Sequence, residues 1–148
     1  MRRYFLVSLL LAILLSNQVL AIEPVYSGGR ERAAIRGFDA VAYFTEHKAI
    51  KGNKAYAFDY LGATWLFSSQ ENRDRFAANP ASYAPQYGGY CAYAVSRNTT
   101  ASIKPEYFTI YDGKLYLNYS RSVMKKWTKH KQRYIEEANL NWPNLAEK

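Results

Sequence analysis

Two glycines, each set between aromatic-rich runs, restrict the folds open to this chain more than any other feature. Tyr56, Phe58 and Tyr60 alternate with smaller or polar residues, Leu61-Gly62 follows, and Thr64-Trp65-Leu66-Phe67 makes a second extended run. Residues of this kind suit a pleated, half-buried surface, so the stretch reads as a hairpin. Ser68 stands three residues before Glu71, the spacing at which a hydroxyl and a carboxylate each satisfy a free N–H at a helix start. A helix is expected over 69–78, ended by Asn79-Pro80 because the residue before proline is pushed out of the helical region. Further on, Asp112-Gly113 separates Phe108–Tyr111 from Leu115-Tyr116-Leu117, and glycine accepts the positive φ that such two-residue turns need. Beyond Ser120, the residues Val123, Trp127, Tyr134 and Ala138 recur at helical spacing, with an interruption near 128–131. One or two helices therefore close the chain and stop before Trp142-Pro143.

The two stretches match when one is slid along the other by 51 positions: Tyr60 falls on Tyr111, Gly62 on Gly113, Trp65 on Tyr116, Ser69 on Ser120, Phe76 on Trp127 and Tyr83 on Tyr134. Fixed-period similarity of this kind is usually structural. The expected class is α+β, with two strand-turn-strand-helix units sharing one antiparallel sheet and helices packed on it.

At the N-terminus, Met1-Arg2-Arg3, an apolar run from Tyr4 to Leu15 and Val19-Leu20-Ala21 have the order of a secretory leader. Cleavage after Ala21 would leave 127 residues with a net charge of +6, enough for one compact domain in the periplasm. One cysteine cannot form an internal disulfide, so the fold must rest on its core. Fourteen tyrosines and three tryptophans make that core aromatic, with hydroxyls that need partners. Residues 22–35 lack periodicity and read as an extended arm, 36–145 as a single domain, and Val41, Tyr43 and Phe44 as a short strand.

Tyr60 to Tyr83, with Tyr-x-Gly-x-x-Trp-x-Phe, a serine-led helix and Phe-x-x-Asn-Pro-x-x-Tyr, resembles the YHS domain. Gly37–Phe44, Gly62–Ser69, Tyr87–Tyr93 and Asp112–Tyr119 extend the resemblance to the exported branch of that family. The resemblance implies metal or redox-stress handling. Metal-type relatives carry Phe-Cys-Ser-x-x-Cys where this chain has Phe67-Ser68-Ser69-Gln70-Glu71-Asn72, with a further cysteine upstream, in the region of Phe38 to Val41, that is also missing here. Thiolates hold soft metals, and serine and asparagine do not. The scaffold is therefore expected to carry over and the usual metal ligands are not.

Cys91, flanked by Gly88-Gly89 and by Tyr87, Tyr90 and Tyr93, is the remaining candidate for chemistry. In the first turn of a helix starting at Tyr90, its thiol would be acidified and could serve as a nucleophile or as one ligand to a copper or zinc ion. The alternative is a small apolar residue packed among tyrosines. A nucleophile needs a base, and His47 and His130 are the only histidines. Arg121, Lys125 and Lys129 follow an i, i+4 stripe, joined by Lys126, Lys131 and Arg133; this face is either solvated or meets an anionic envelope surface, and no nucleic-acid partner is expected. Three function classes follow: a metal- or small-ligand binding module, a thiol enzyme, and an envelope interaction protein.

Overall fold

The computed structural model describes residues 21–147, so the leader reading, apart from Ala21, lies outside the described residues. The segment expected as a strand at Val41 to Phe44 is instead a short helix, α1 (Ala42–Thr45). Asp39 decides this. Its Oδ1 accepts the N–H groups of Val41 at 2.9 Å and Ala42 at 3.1 Å, donors that a helix start leaves free.

β1 (Asn53–Tyr60) and β2 (Ala63–Phe67) then pair antiparallel with Phe58 opposite Trp65. Leu61 and Gly62 turn between them at φ 52° and 74°, the two positive values of a type I′ hairpin. α2 (Gln70–Ala78) follows, with Ser69 rather than Ser68 as its cap: Ser69 Oγ accepts from Asn72 N at 3.1 Å. Pro80 ends α2 and opens α3 (Pro80–Tyr83), since its missing N–H costs nothing at a first helical position. After α4 (Ala92–Ser96), β3 (Phe108–Tyr111) and β4 (Lys114–Leu117) pair with Thr109 opposite Tyr116, and Asp112 and Gly113 turn at φ 50° and 69°. Ser120 caps α5 (Arg121–Lys129) through Val123 N at 3.2 Å. The expected interruption falls at His130, and α6 (Lys131–Ala146) closes the chain.

The α+β class therefore holds; α2 and α5 lie 51 residues apart at both ends, whereas β2 and β4 do so only at their starts. The hairpins do not share one sheet, however. They form two separate two-stranded sheets, with the Ala34–Gly37 turn packed against β2 and the Gln86–Gly89 turn against β4. Each hairpin lays aromatic residues on the helix after it. Phe76, fully buried, has its ring centroid 4.9 Å from that of Trp65 and 5.0 Å from that of Phe67; Trp127, also fully buried, lies 5.1 Å from Tyr116.

Residues 22–35 are less free than an extended arm. Tyr26 N donates to Gly88 O and Ile35 N to Tyr26 O, both at 2.8 Å, and Val25 is buried. A Cβ at Gly88 would come within 2.0 Å of Pro24 O, at a φ of 62° that side-chain-bearing residues rarely adopt. α6 also corrects the sequence reading, because it runs through Pro143 instead of stopping before Trp142. An interior proline costs about 3 kcal/mol. Trp142, packed 6.2 Å from Tyr87 and 6.0 Å from Tyr90, and buried Leu145 offset it, since such side chains contribute about 1.5–3 kcal/mol each. Among the described residues, no helix is long and apolar enough to cross a membrane.

Candidate functional site

Where the first hairpin's tip meets α6 there is a cavity of about 470 Å³. Its walls come from four parts of the chain: Pro24 and Val25 of the arm, Tyr60, Leu61 and Trp65 of the hairpin, the Ala81–Gly88 region, and Asn139, Trp142, Pro143 and Ala146 of α6. The continuation of α6 past Pro143 is what supplies the last wall. The lining is mostly apolar and aromatic, with polar groups from Gln86, Asn139 and Tyr87. Tyr87 donates its hydroxyl to Asn139 Oδ1 at 2.9 Å, which fixes both side chains, and burial pushes the Tyr87 hydroxyl pKa well above its ordinary value. Leu61, at 55% exposure, is one of the few large apolar side chains left in water, and it sits at this cavity.

Cys91 and the three tyrosines around it do not all face this cavity. Tyr87 lines it, whereas Tyr90 donates to Glu23 O at 2.9 Å and packs on Trp142. Tyr93 packs edge-on to Tyr134 and lies under Lys126 Nζ, 5.0 Å from its ring centre. Cys91 immediately precedes α4, not within its first turn, and is 1% exposed. Burial pushes its thiol pKa up, and the N–H groups of Ala94, Tyr119 and Tyr93 pull only weakly the other way. The acidified thiol expected from a helix start is thus outweighed by desolvation. The Sγ donates toward Asn118 Oδ1 at 3.5 Å. Neither His47 nor His130 is among the groups that bear on it.

The first unit holds a different cluster. Asp39, fully buried, uses its second oxygen, Oδ2, to accept Ser68 N at 2.9 Å, Ser68 Oγ at 2.7 Å and Asn72 Nδ2 at 2.8 Å. With the two bonds to Oδ1, one carboxylate joins α1, the end of β2 and the first turn of α2. This explains the one-residue shift of the α2 cap: Ser68 is already engaged by Asp39.

Residues 41–87, from the start of α1 to the wall of the cavity, match the family model described as the YHS domain. The chain carries a YHS domain. No curated protein and no solved structure matches the chain.

Within the matched span, the fold brings Ser68 and Asn72 to Asp39 from the upstream segment. The set does not fit a soft metal ion. It holds no sulfur, and its one carboxylate already accepts five hydrogen bonds. Among the described residues, no three His, Cys, Asp or Glu side chains group as metal ligands. Outside the matched span, Arg121, Lys125 and Lys129 are exposed along α5, and Lys126 is held over Tyr93. Sequence reasoning missed Ser68 and Asn72 as partners of Asp39, and Gln86, Asn139 and Trp142 as cavity walls. The signal was present in Trp142-Pro143, an aromatic residue beside a supposed helix stop.

Proposed function

We propose that this protein is a binding module that takes a small, largely apolar, ring-bearing molecule in the cavity between the first hairpin and α6, and that it does so after export to the periplasm. The cavity carries this reading. Its size lies in the range of about 300–1,000 Å³ typical of small-ligand sites, and apolar walls with a few fixed polar groups are the usual makeup of such sites. Trp65, Trp142 and Tyr60 offer ring faces and edges. Gln86 and Asn139 offer hydrogen bonds that would orient a polar substituent.

The YHS domain itself supports a metal-related role. Copper or zinc bound by this chain is the weaker reading, because the Asp39 cluster is saturated and Cys91 lacks a second ligand. A thiol enzyme is weaker again, since the sulfur is sealed from solvent.

Ligand-observed NMR against a panel of monocyclic and bicyclic aromatic acids and alcohols tests the proposal, with Trp142→Ala as the cavity variant and Leu140→Ala, 78% exposed and outside the cavity, as control. Saturable binding lost only in Trp142→Ala is expected. Binding that survives Trp142→Ala, or stoichiometric Cu(I) or Zn(II) binding with none of the panel bound, would overturn it.

A further inference from the structure

The elbow between α5 and α6 has properties that the seam cavity does not explain. From Gly113 to Ile135 the chain has no acidic residue and seven cations: Lys114, Arg121, Lys125, Lys126, Lys129, Lys131 and Arg133. A run of this kind is ordinarily a solvated helix face. Here it is folded back on itself at His130, where the backbone leaves the helical region at φ −135° and ψ 36°. The bend opens a second cavity of about 500 Å³, lined by Lys129, His130, Lys131 and Arg133, with Tyr111, Thr128, Gln132 and one acid, Glu136.

The way these cations are held separates the elbow from a mobile basic surface. Lys131 Nζ lies 5.0 Å from the ring centre of Tyr111, and the Arg133 guanidinium 4.9 Å from that of Tyr134. A cation over a ring face is fixed in place yet keeps its full charge, whereas one paired with a carboxylate is neutralised. Arg133 also approaches Glu137 at 3.8 Å, a long and exposed pair that offsets little of its charge. No ion pair forms to Lys129 or Lys131 among the described residues. Part of the entropy of ordering long cationic side chains is thus already lost before any ligand arrives.

We propose that the elbow is a binding site for a phosphate-class oxyanion, with Lys129 and Lys131 as its principal ligands and Arg133, His130 and Thr128 at its rim. The site is independent of the seam cavity and shares no residue with it. Free phosphates and phospholipid headgroups present the same chemistry, so two probes distinguish the sources: inorganic pyrophosphate by calorimetry at low salt, and co-sedimentation with vesicles of phosphatidylglycerol in phosphatidylcholine.

The variant is Lys129→Gln/Lys131→Gln, which keeps much of the stem length. The control is Arg121→Gln/Lys125→Gln, which removes the same charge from α5 outside the elbow. Binding of at least one probe is expected to weaken about tenfold or more in the elbow variant and by no more than about twofold in the control, as the loss of two directed charge-assisted contacts requires. The probe affected identifies the source. Equal weakening in both variants would assign the effect to net charge and overturn the proposal, as would the absence of saturable binding to either probe. Circular dichroism and thermal unfolding confirm that each variant is folded.

Discussion

Removing the Asp39 carboxylate should damage this protein more than any other single change to an ionisable residue. In Asp39→Ala, the N–H groups of Val41 and Ala42, both in buried residues, lose their acceptor, while Ser68, an exposed residue, regains water. An unsatisfied buried donor costs about 1–3 kcal/mol. Two such donors give about 2–6 kcal/mol, centred near 4, against a total stability of about 5–15 kcal/mol for a domain. Asp39→Asn keeps one oxygen for Val41 and Ala42 but turns an NH2 toward Ser68 N and Asn72 Nδ2, both donors, on the side that water reaches. Its cost should be about 1–3 kcal/mol. Ser68→Ala removes the 2.7 Å bond to Asp39 Oδ2 and a long 3.5 Å one from Asn72 Nδ2, both at an exposed residue that water reaches, and should cost about 1 kcal/mol. Urea unfolding followed by tryptophan fluorescence gives all three values. The order Asp39→Ala, then Asp39→Asn, then Ser68→Ala is required. A loss under about 1 kcal/mol for Asp39→Ala, or Ser68→Ala as costly as Asp39→Ala, would mean that the carboxylate is not what joins α1 to α2.

Ser69→Ala and Ser120→Ala should each cost about 1 kcal/mol in the same assay, because both hydroxyls cap helices through an N–H three residues on. Gly88→Ala should lower the melting temperature by several degrees and expose the 22–35 segment to protease, since the new methyl group would strike Pro24 O. In the folded protein, iodoacetamide should modify Cys91 slowly at pH 8 and rapidly once urea is added. The raised thiol pKa also sets a pH effect. Because the unfolded chain releases the thiol proton first, the stability from keeping it is present at neutral pH and lost as pH rises above about 8.5. Cys91→Ser should flatten the decline between about pH 8.5 and 10, measured by urea midpoints; an unchanged slope would assign it to the buried tyrosines.

Both hairpins, their turns and the α5–α6 break were legible in the sequence because each rests on local chemistry. Leu61-Gly62 and Asp112-Gly113 take their positive φ values with no help from distant residues. Ser120 caps α5 through a neighbour three positions away, whereas the α2 cap falls on Ser69 and not on the expected Ser68, because Asp39 already holds Ser68. What was not legible depends on contacts made across the chain. Val41 to Phe44 has strand-like residues, yet Asp39, itself held by Ser68 and Asn72 about thirty positions on, supplies the cap that makes it helical. Pro143 looked like a stop, and tertiary packing of Trp142 and Leu145 overrides it. The cavity was invisible for the same reason: its walls lie at both ends of the chain and meet only in the folded protein.

The two units allow one further step. The turns before α1 and α4 both place three residues in a row at positive φ: Ile35, Arg36 and Gly37 at 45°, 61° and 80°, Tyr87, Gly88 and Gly89 at 59°, 62° and 85°. Two residues past each turn glycine stand Asp39 and Cys91: Asp39 accepts the N–H groups of Val41, Ala42 and Ser68, whereas Cys91 donates to Asn118 Oδ1, which also accepts Tyr93 N at 3.2 Å. The same turn geometry thus leads to a carboxylate in one unit and to a thiol in the other. In the first, Ser68 and Asn72 add side-chain donors. In the second, Asn118 presents its oxygen to the sulfur and leaves its Nδ2 buried without a partner. A hydroxyl at position 91 would donate to Asn118 Oδ1 as the thiol does. Cys91→Ser should therefore fold, and be less destabilised than Cys91→Leu, which overfills the space and gives Asn118 Oδ1 no donor. The reverse order in urea unfolding would show that the second site is shaped for packing alone, and that its likeness to the Asp39 site stops at the backbone.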